Sequence, residues 1–249
     1  MKRTLEICVD SLASARAAIA GGADRLELCS ALAVGGLTPY AELLKQIRQE
    51  SNIPIRCLIR PRAGDFCYTD DEIQLMADQI QTLSASGADG FVIGCLTPQG
   101  DLDESAIAPL LTAAQGKTLT LHRCIDVSRN LEDTYRQAAS LGFDTVLTSG
   151  GAANCRTGKH VIASLVALGK EISGPEILVG AGVKAPVITE FLQEVPSLTA
   201  FHMSGKIDLE SAMIFRREGI PMGIPGLDEW HIQQTDEEAV RQAKLALEL

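Results

Sequence analysis

The chain has 249 residues and a formal net charge of −10, with no Lys/Arg-rich stretch that could track a phosphate backbone, so nucleic acid is not an expected partner. Hydrophobic residues make up 46% and aromatics only 4%, so the core has to be built from Ala, Leu, Ile and Val, and no apolar run approaches the roughly 20 residues of a membrane span. The amino end, Met1-Lys2-Arg3-Thr4-Leu5-Glu6, puts a carboxylate where a signal peptide needs an apolar segment, which predicts a cytoplasmic protein with no membrane partner.

In chain order, short apolar segments alternate with amphipathic helical ones. A strand at 4–9 precedes a helix at 11–20, a strand at 25–29 a helix at 39–50, and a strand at 53–59 a helix at 70–86. The pattern continues with strand 90–96 and helix 105–114, strand 118–124 and helix 131–141, strand 145–149 and helix 161–172, and strand 177–179 and helix 186–194. A last strand at 198–202 leads into an irregular stretch, 206–235, rich in Gly and Pro (Gly219, Pro221, Gly223, Pro225, Gly226), and a closing helix at 236–249. Such alternation demands parallel strands with helical crossovers.

Three helices end in a common pattern: Gly22-Ala23-Asp24, Gly87-Ala88-Asp89 and Gly142-Phe143-Asp144. Each glycine can end its helix in a left-handed conformation, and the aspartate then turns the chain into the next strand. One βα unit is thus reused. A doubly wound sheet is the rival, but its G-x-G-x-x-G fingerprint is absent, and a closed ring needs about 250 residues. The expectation is an α/β protein, a single-domain (β/α)8 TIM barrel over residues 1–249, with 206–235 a long loop over the barrel mouth.

In that fold, polar residues near the carboxyl ends of the strands face the site. Leu5-Glu6-Ile7-Cys8 and Leu26-Glu27-Leu28-Cys29 are nearly the same tetrad, so Glu6 with Cys8, and Glu27 with Cys29, share one face. The two thiols are a candidate Cu(I) site, since soft thiolates select that ion; two packed core cysteines are the plainer alternative. The third strand ends in Arg60-Pro61-Arg62, whose guanidiniums could pair with the two glutamates, bind an anion or clamp the following loop. His122, with Asp126 to orient it, and His202 at the last strand's end complete the candidate acid/base set with Glu6 and Glu27. Arg123, Ser149, Gly150, Gly182 and Ser204 are further candidate ligand contacts, because small strand ends permit close approach and loops seven and eight often bind phosphate in this fold. No lysine lies in the carboxyl half of a strand, so a Schiff-base aldolase lacks a nucleophile, and G-x-S-x-G and H-E-x-x-H are absent. Seven cysteines without a C-x-x-C pair read as free thiols of a reducing compartment.

Taken together, Leu5-Glu6-Ile7-Cys8, Gly21 to Cys29, Gly35-Gly36-Leu37-Thr38-Pro39, Arg60 to Phe66, His122-Arg123, Leu147-Thr148-Ser149-Gly150 and His202-Met203-Ser204 resemble the CutC family, in order from Glu6 to about Gly223. At strand five the sequence departs from the family's Phe-His-Arg-Ala-Phe-Asp: Leu121, Cys124 and Ile125 surround the retained His122, Arg123 and Asp126. The resemblance implies a cytoplasmic TIM barrel, commonly oligomeric, with a part in copper homeostasis and copper binding but no firmly assigned reaction. A homo-oligomer is therefore expected, a dimer before others, with copper or a small anionic ligand as partner and no organic cofactor. Two functions follow: copper binding, with Cys8 and Cys29 as ligands, or an enzyme using Glu/His acid-base chemistry and Arg anion binding on a small carboxylate or phosphate metabolite.

Overall fold

The Gly-x-Asp repeat sets the spacing of the barrel. In the computed structural model, Gly22, Gly87 and Gly142 take φ of +93°, +103° and +80°, the left-handed turn that ends each helix. Asp24, Asp89 and Asp144 then donate their backbone N–H groups to the carbonyls of Leu5, Ile55 and Leu119. Their carboxylates accept from the N–H groups of those same three residues, at 2.8, 2.8 and 2.7 Å. An aspartate therefore fastens the entry of one strand to the entry of the strand before it.

The structure describes residues 2–217, 219–220, 222–224 and 228–248. The strands β1 (Thr4–Val9), β2 (Arg25–Leu28), β3 (Ile55–Leu58), β4 (Gly90–Ile93), β5 (Thr118–Leu121), β6 (Thr145–Thr148), β7 (Glu176–Val179) and β8 (Ala200–Met203) form a closed parallel barrel. Between them run α1 (Leu12–Ala20), α2 (Ala41–Glu50), α3 (Asp70–Ala85), α4 (Glu104–Ala114), α5 (Leu131–Ser140), α6 (Lys159–Ile172) and α7 (Ala185–Glu194). Closure is made by β8 against β1, where His202 lies opposite Glu6. The sequence expectation of a (β/α)8 barrel holds.

Alternation along the strands sorts the residues into two layers. Leu5, Ile7, Leu26, Leu28, Phe91 and Val146 belong to the main core between the barrel and the helices. At roughly 1.5–3 kcal/mol for each fully buried aliphatic, this layer is the chief source of stability. The lumen is different. A barrel of this kind usually fills its interior with branched aliphatics, and here, among the described residues, two small apolar clusters do so, Cys8/Cys29/Leu58/Val92 and Leu147/Leu178/Ala200. The rest is polar. Arg56 reaches across the lumen to donate to Thr120 and Thr145 at 2.5 and 2.8 Å, and Glu6, Arg25, Glu27 and His122 are also buried.

One expectation needs correction. The stretch 206–235 is not simply a loop over the mouth: β9 (Lys206–Glu210) and β10 (His231–Thr235) pair antiparallel to form an arm. Its root is tied down where Thr235 donates to Ser14 Oγ and Asp236 to the Gly205 carbonyl. Beyond the root it stands in solvent, with β9 exposed along its length. Pro221, Pro225 and Gly226 lie outside the described residues. The closing helix, α8 (Glu237–Leu247), starts at an Asp236 cap and packs on α1 and α7.

Candidate functional site

Parallel pairing puts Cys8 opposite Glu27 and Glu6 opposite Arg25, so the polar ends of β1, β2 and β8 meet in the lumen. Glu6, fully buried, accepts from Arg25 Nε at 2.5 Å and from His202 Nδ1 at 2.8 Å. Burial alone would raise the pKa of Glu6. Arg25, His202 and Arg56 outweigh that effect and hold the carboxyl far below its usual range. An ionised Glu6 can only accept, so His202 carries a proton on Nδ1 and turns Nε2 towards Glu27, whose Oε2 is 3.7 Å away. Arg25, rather than Arg60, is the partner of Glu6, and it was not among the residues expected from the sequence.

Glu27 is held less firmly. Burial raises its pKa and the Glu6 charge adds to this, against a lowering from His202. Its Oε2 also accepts from the Cys29 thiol at 3.4 Å, and burial followed by the Glu27 charge pushes that thiol's pKa well up. Burial likewise disfavours a charged His202, but Cys8, Glu27 and Glu6 together raise its pKa well above the ordinary value. Cys8 Sγ, a Glu27 carboxylate oxygen and a His202 ring nitrogen all lie within 4.8 Å of one another. Of the two thiols expected as ligands, Cys8 is in this group, while Cys29 donates to the carboxylate beside it.

The cluster opens on a cavity of about 880 Å3 at the carboxyl ends of the strands. His122, Arg60, Arg123, Gly182 and Ser204 line the same cavity. His122 directly follows β5 and caps the next 3-10 turn, its Nδ1 accepting from the Cys124 N–H at 3.1 Å. The expectation that Asp126 orients this ring is not met: Asp126 is saturated by Thr148, the Ser149 and Gly151 N–H groups, and Arg123. Burial, then the nearby Arg60 charge, lower the His122 pKa to about 3. The imidazole is thus favoured in its neutral form, with Nδ1 already occupied by the Cys124 N–H.

The remaining candidates divide. Arg60 clamps the carbonyls of Val34, Gly36 and Gly64 but leaves its buried Nε without a partner. Arg62 is a clamp on its own loop, bound to Glu72, Asp65 and the Cys67 carbonyl. Glu72 also closes the capping box with Thr69 that starts α3, so the loop and the helix end are fixed together. Ser149 donates to the Ala152 carbonyl and accepts from Arg123. Gly150 has φ +73°, and a Cβ there would lie 2.3 Å from the Gly158 carbonyl oxygen, so its role is close backbone packing. All seven cysteines are free thiols, and among the described residues no helix is long and apolar enough to cross a membrane.

Comparison with known proteins agrees with the fold. Residues 3–207 match the model of the CutC family. CutC family proteins of Porphyromonas gingivalis and Aliivibrio fischeri are 42% and 39% identical to the chain, each over 98% of it, covering 97% and 98% of the relatives' own lengths. The crystal structure of the putative copper homeostasis protein CutC from Streptococcus agalactiae matches with a TM-score of 0.76 at 31% identity, covering 81% of this chain and 98% of that one. An N-(5'-phosphoribosyl)anthranilate isomerase from Pyrococcus furiosus, 15% identical with a TM-score of 0.55, shares the barrel alone. Most of the arm lies beyond the part that the family model matches. The chain is a (β/α)8 barrel that belongs to the CutC family.

Proposed function

We propose that the protein binds Cu(I) as cargo at the mouth of its barrel, between Cys8 Sγ and His202 Nε2, with Glu27 as the third contact. The observation that carries this reading is the grouping of one thiol, one imidazole and one carboxylate within 4.8 Å. The donor set suits the ion: a soft thiolate and an imidazole are the ligands Cu(I) favours. Glu6 is an outer-shell partner of the kind that fixes a ligating histidine, since its bond to Nδ1 leaves Nε2 to bind metal. Loading displaces the proton on His202 Nε2, so binding releases acid. A reducing, cytosolic setting is supported by the free thiols. Cys8→Ser is expected to weaken Cu(I) at least tenfold in a competition titration of the reduced protein against a chelator; unchanged affinity would remove the basis of the proposal.

A homodimer is part of the same reading. The arm leaves Met213, Ile214 and Phe215 exposed, Ile214 almost completely at 99%, and apolar exposure on this scale favours association. A second copy is the expected partner, since twofold homodimers are the commonest assemblies. Sedimentation should find a dimer for the wild type and a monomer for Ile214→Asp/Phe215→Asp; a monomeric wild type would contradict this.

A second reading, a binding or catalytic site for a small organic anion, is favoured by the cavity. At about 880 Å3 it is far larger than a single ion needs.

A further inference from the structure

His122 and Arg60 are 95% and 92% buried, to judge from exposures of 5% and 8%, and each has a polar nitrogen without a partner: Nε2 of His122 and Nε of Arg60. A buried donor left unpaired costs about 1–3 kcal/mol, so two such donors beside one cavity call for an acceptor. Both nitrogens are donors. Nδ1 of His122 accepts from the Cys124 N–H, which fixes the ring proton on Nε2, and a guanidinium Nε always carries hydrogen.

Phe66 relates the two. Its ring lies 4.7 Å from the imidazole, tilted at 44°, and the Arg60 guanidinium carbon is 5.2 Å from the same ring. Phe66 sits on the loop between β3 and α3 and, like His122 and Arg60, lines the cavity. The charges of that lining point the same way. In a chain of net charge −10, the cavity is lined by Arg60, Lys184 and Lys206, with Arg123 already paired to Asp126, against one carboxylate, Glu27. Such a mouth attracts anions in spite of the protein's overall sign.

We propose that the cavity takes a small organic acid, whose carboxylate or carbonyl oxygen accepts from His122 Nε2–H and Arg60 Nε–H when Phe66 turns aside. The inference rests on the reading that the cavity holds an organic anion, and it is independent of copper. His122 acts here as a neutral donor. It polarises an oxygen without giving up its proton, the use that a neutral imidazole serves where a carbonyl is to be activated.

His122→Asn tests the assignment, because the asparagine carbonyl can still accept from the Cys124 N–H while the Nε2 donor is lost. Pyruvate, malonate, succinate and 3-phosphoglycerate are the probes, each titrated calorimetrically into the metal-free wild type and the variant. The expected result is binding of at least one acid by the wild type and a loss of tenfold or more in the variant. Equal affinity in both proteins overturns the His122 contact and leaves the anion cavity standing. Failure of every acid to bind the wild type overturns both. Nitrogen NMR of the histidine-labelled wild type serves should the variant fail to fold. With only four histidines in the chain, the His122 Nε2 resonance should shift on addition of the acid that binds, and an unmoved resonance overturns the contact.

Discussion

Arg25→Leu should lower the stability of the protein by about 3–5 kcal/mol, the loss expected when one partner of a buried ion pair is removed and the other is left behind. The stranded group is Glu6, which is fully buried and takes one of its two short hydrogen bonds from Arg25. His202 alone cannot compensate for it, because Glu27 competes for the same ring. Adding Glu6→Gln removes the stranded charge and still offers His202 Nδ1–H an acceptor, so the double variant should recover most of the loss. Urea denaturation checks both, and a single variant as stable as the wild type would show that Arg25 is not what keeps Glu6 ionised.

The second large effect concerns pH. His122 titrates near 6.5 in an unfolded chain and at about 3 in the fold, because burial, then Arg60, disfavour its charged form. Between these values the unfolded chain holds a proton that the folded one refuses. Stability therefore falls as the pH drops from 6.5 towards 3 and is unaffected by this group above 6.5. His122→Asn abolishes the dependence. From pH 7 to pH 4 the stability of the wild type relative to the variant should fall by roughly 3 kcal/mol, at 1.4 kcal/mol per pH unit. A constant difference over that range would mean that His122 takes up its proton as readily in the fold as in the unfolded chain.

The barrel could be read from the sequence because its determinants are local. A positive-φ glycine and an aspartate that bonds back to the preceding strand are visible in three consecutive residues, and they recur at 22, 87 and 142. The arm was missed although Lys206-Ile207-Asp208-Leu209-Glu210 has the period of a strand. Its partner, His231–Thr235, carries Ile232 as its one large aliphatic, and the glycines and prolines between them read as loop. In the site, alternation placed Glu6, Cys8, Glu27 and Cys29 on the lumen face but did not say which charge each carboxylate would meet. Arg25 stands on the same face of β2 as Glu27, two residues before it. It opens the strand expected at 25–29, but its partner becomes evident only when β1 is laid beside β2. The setting of His122 is not legible in the sequence for a different reason. Its position suggested acid-base chemistry, and the burial and unpaired Nε2 that make it a neutral donor are properties of the packed barrel.

The central claim is that a single thiol, Cys8, holds copper together with His202, while Cys29 serves the neighbouring carboxylate. Its most direct test is a Cu(I) competition titration of Cys8→Ser and Cys29→Ser side by side, in reduced protein. The account predicts at least a tenfold loss of affinity for Cys8→Ser and a change of less than about threefold for Cys29→Ser. Equal losses would make the site a two-thiolate one, and no loss in either would place copper elsewhere in the protein.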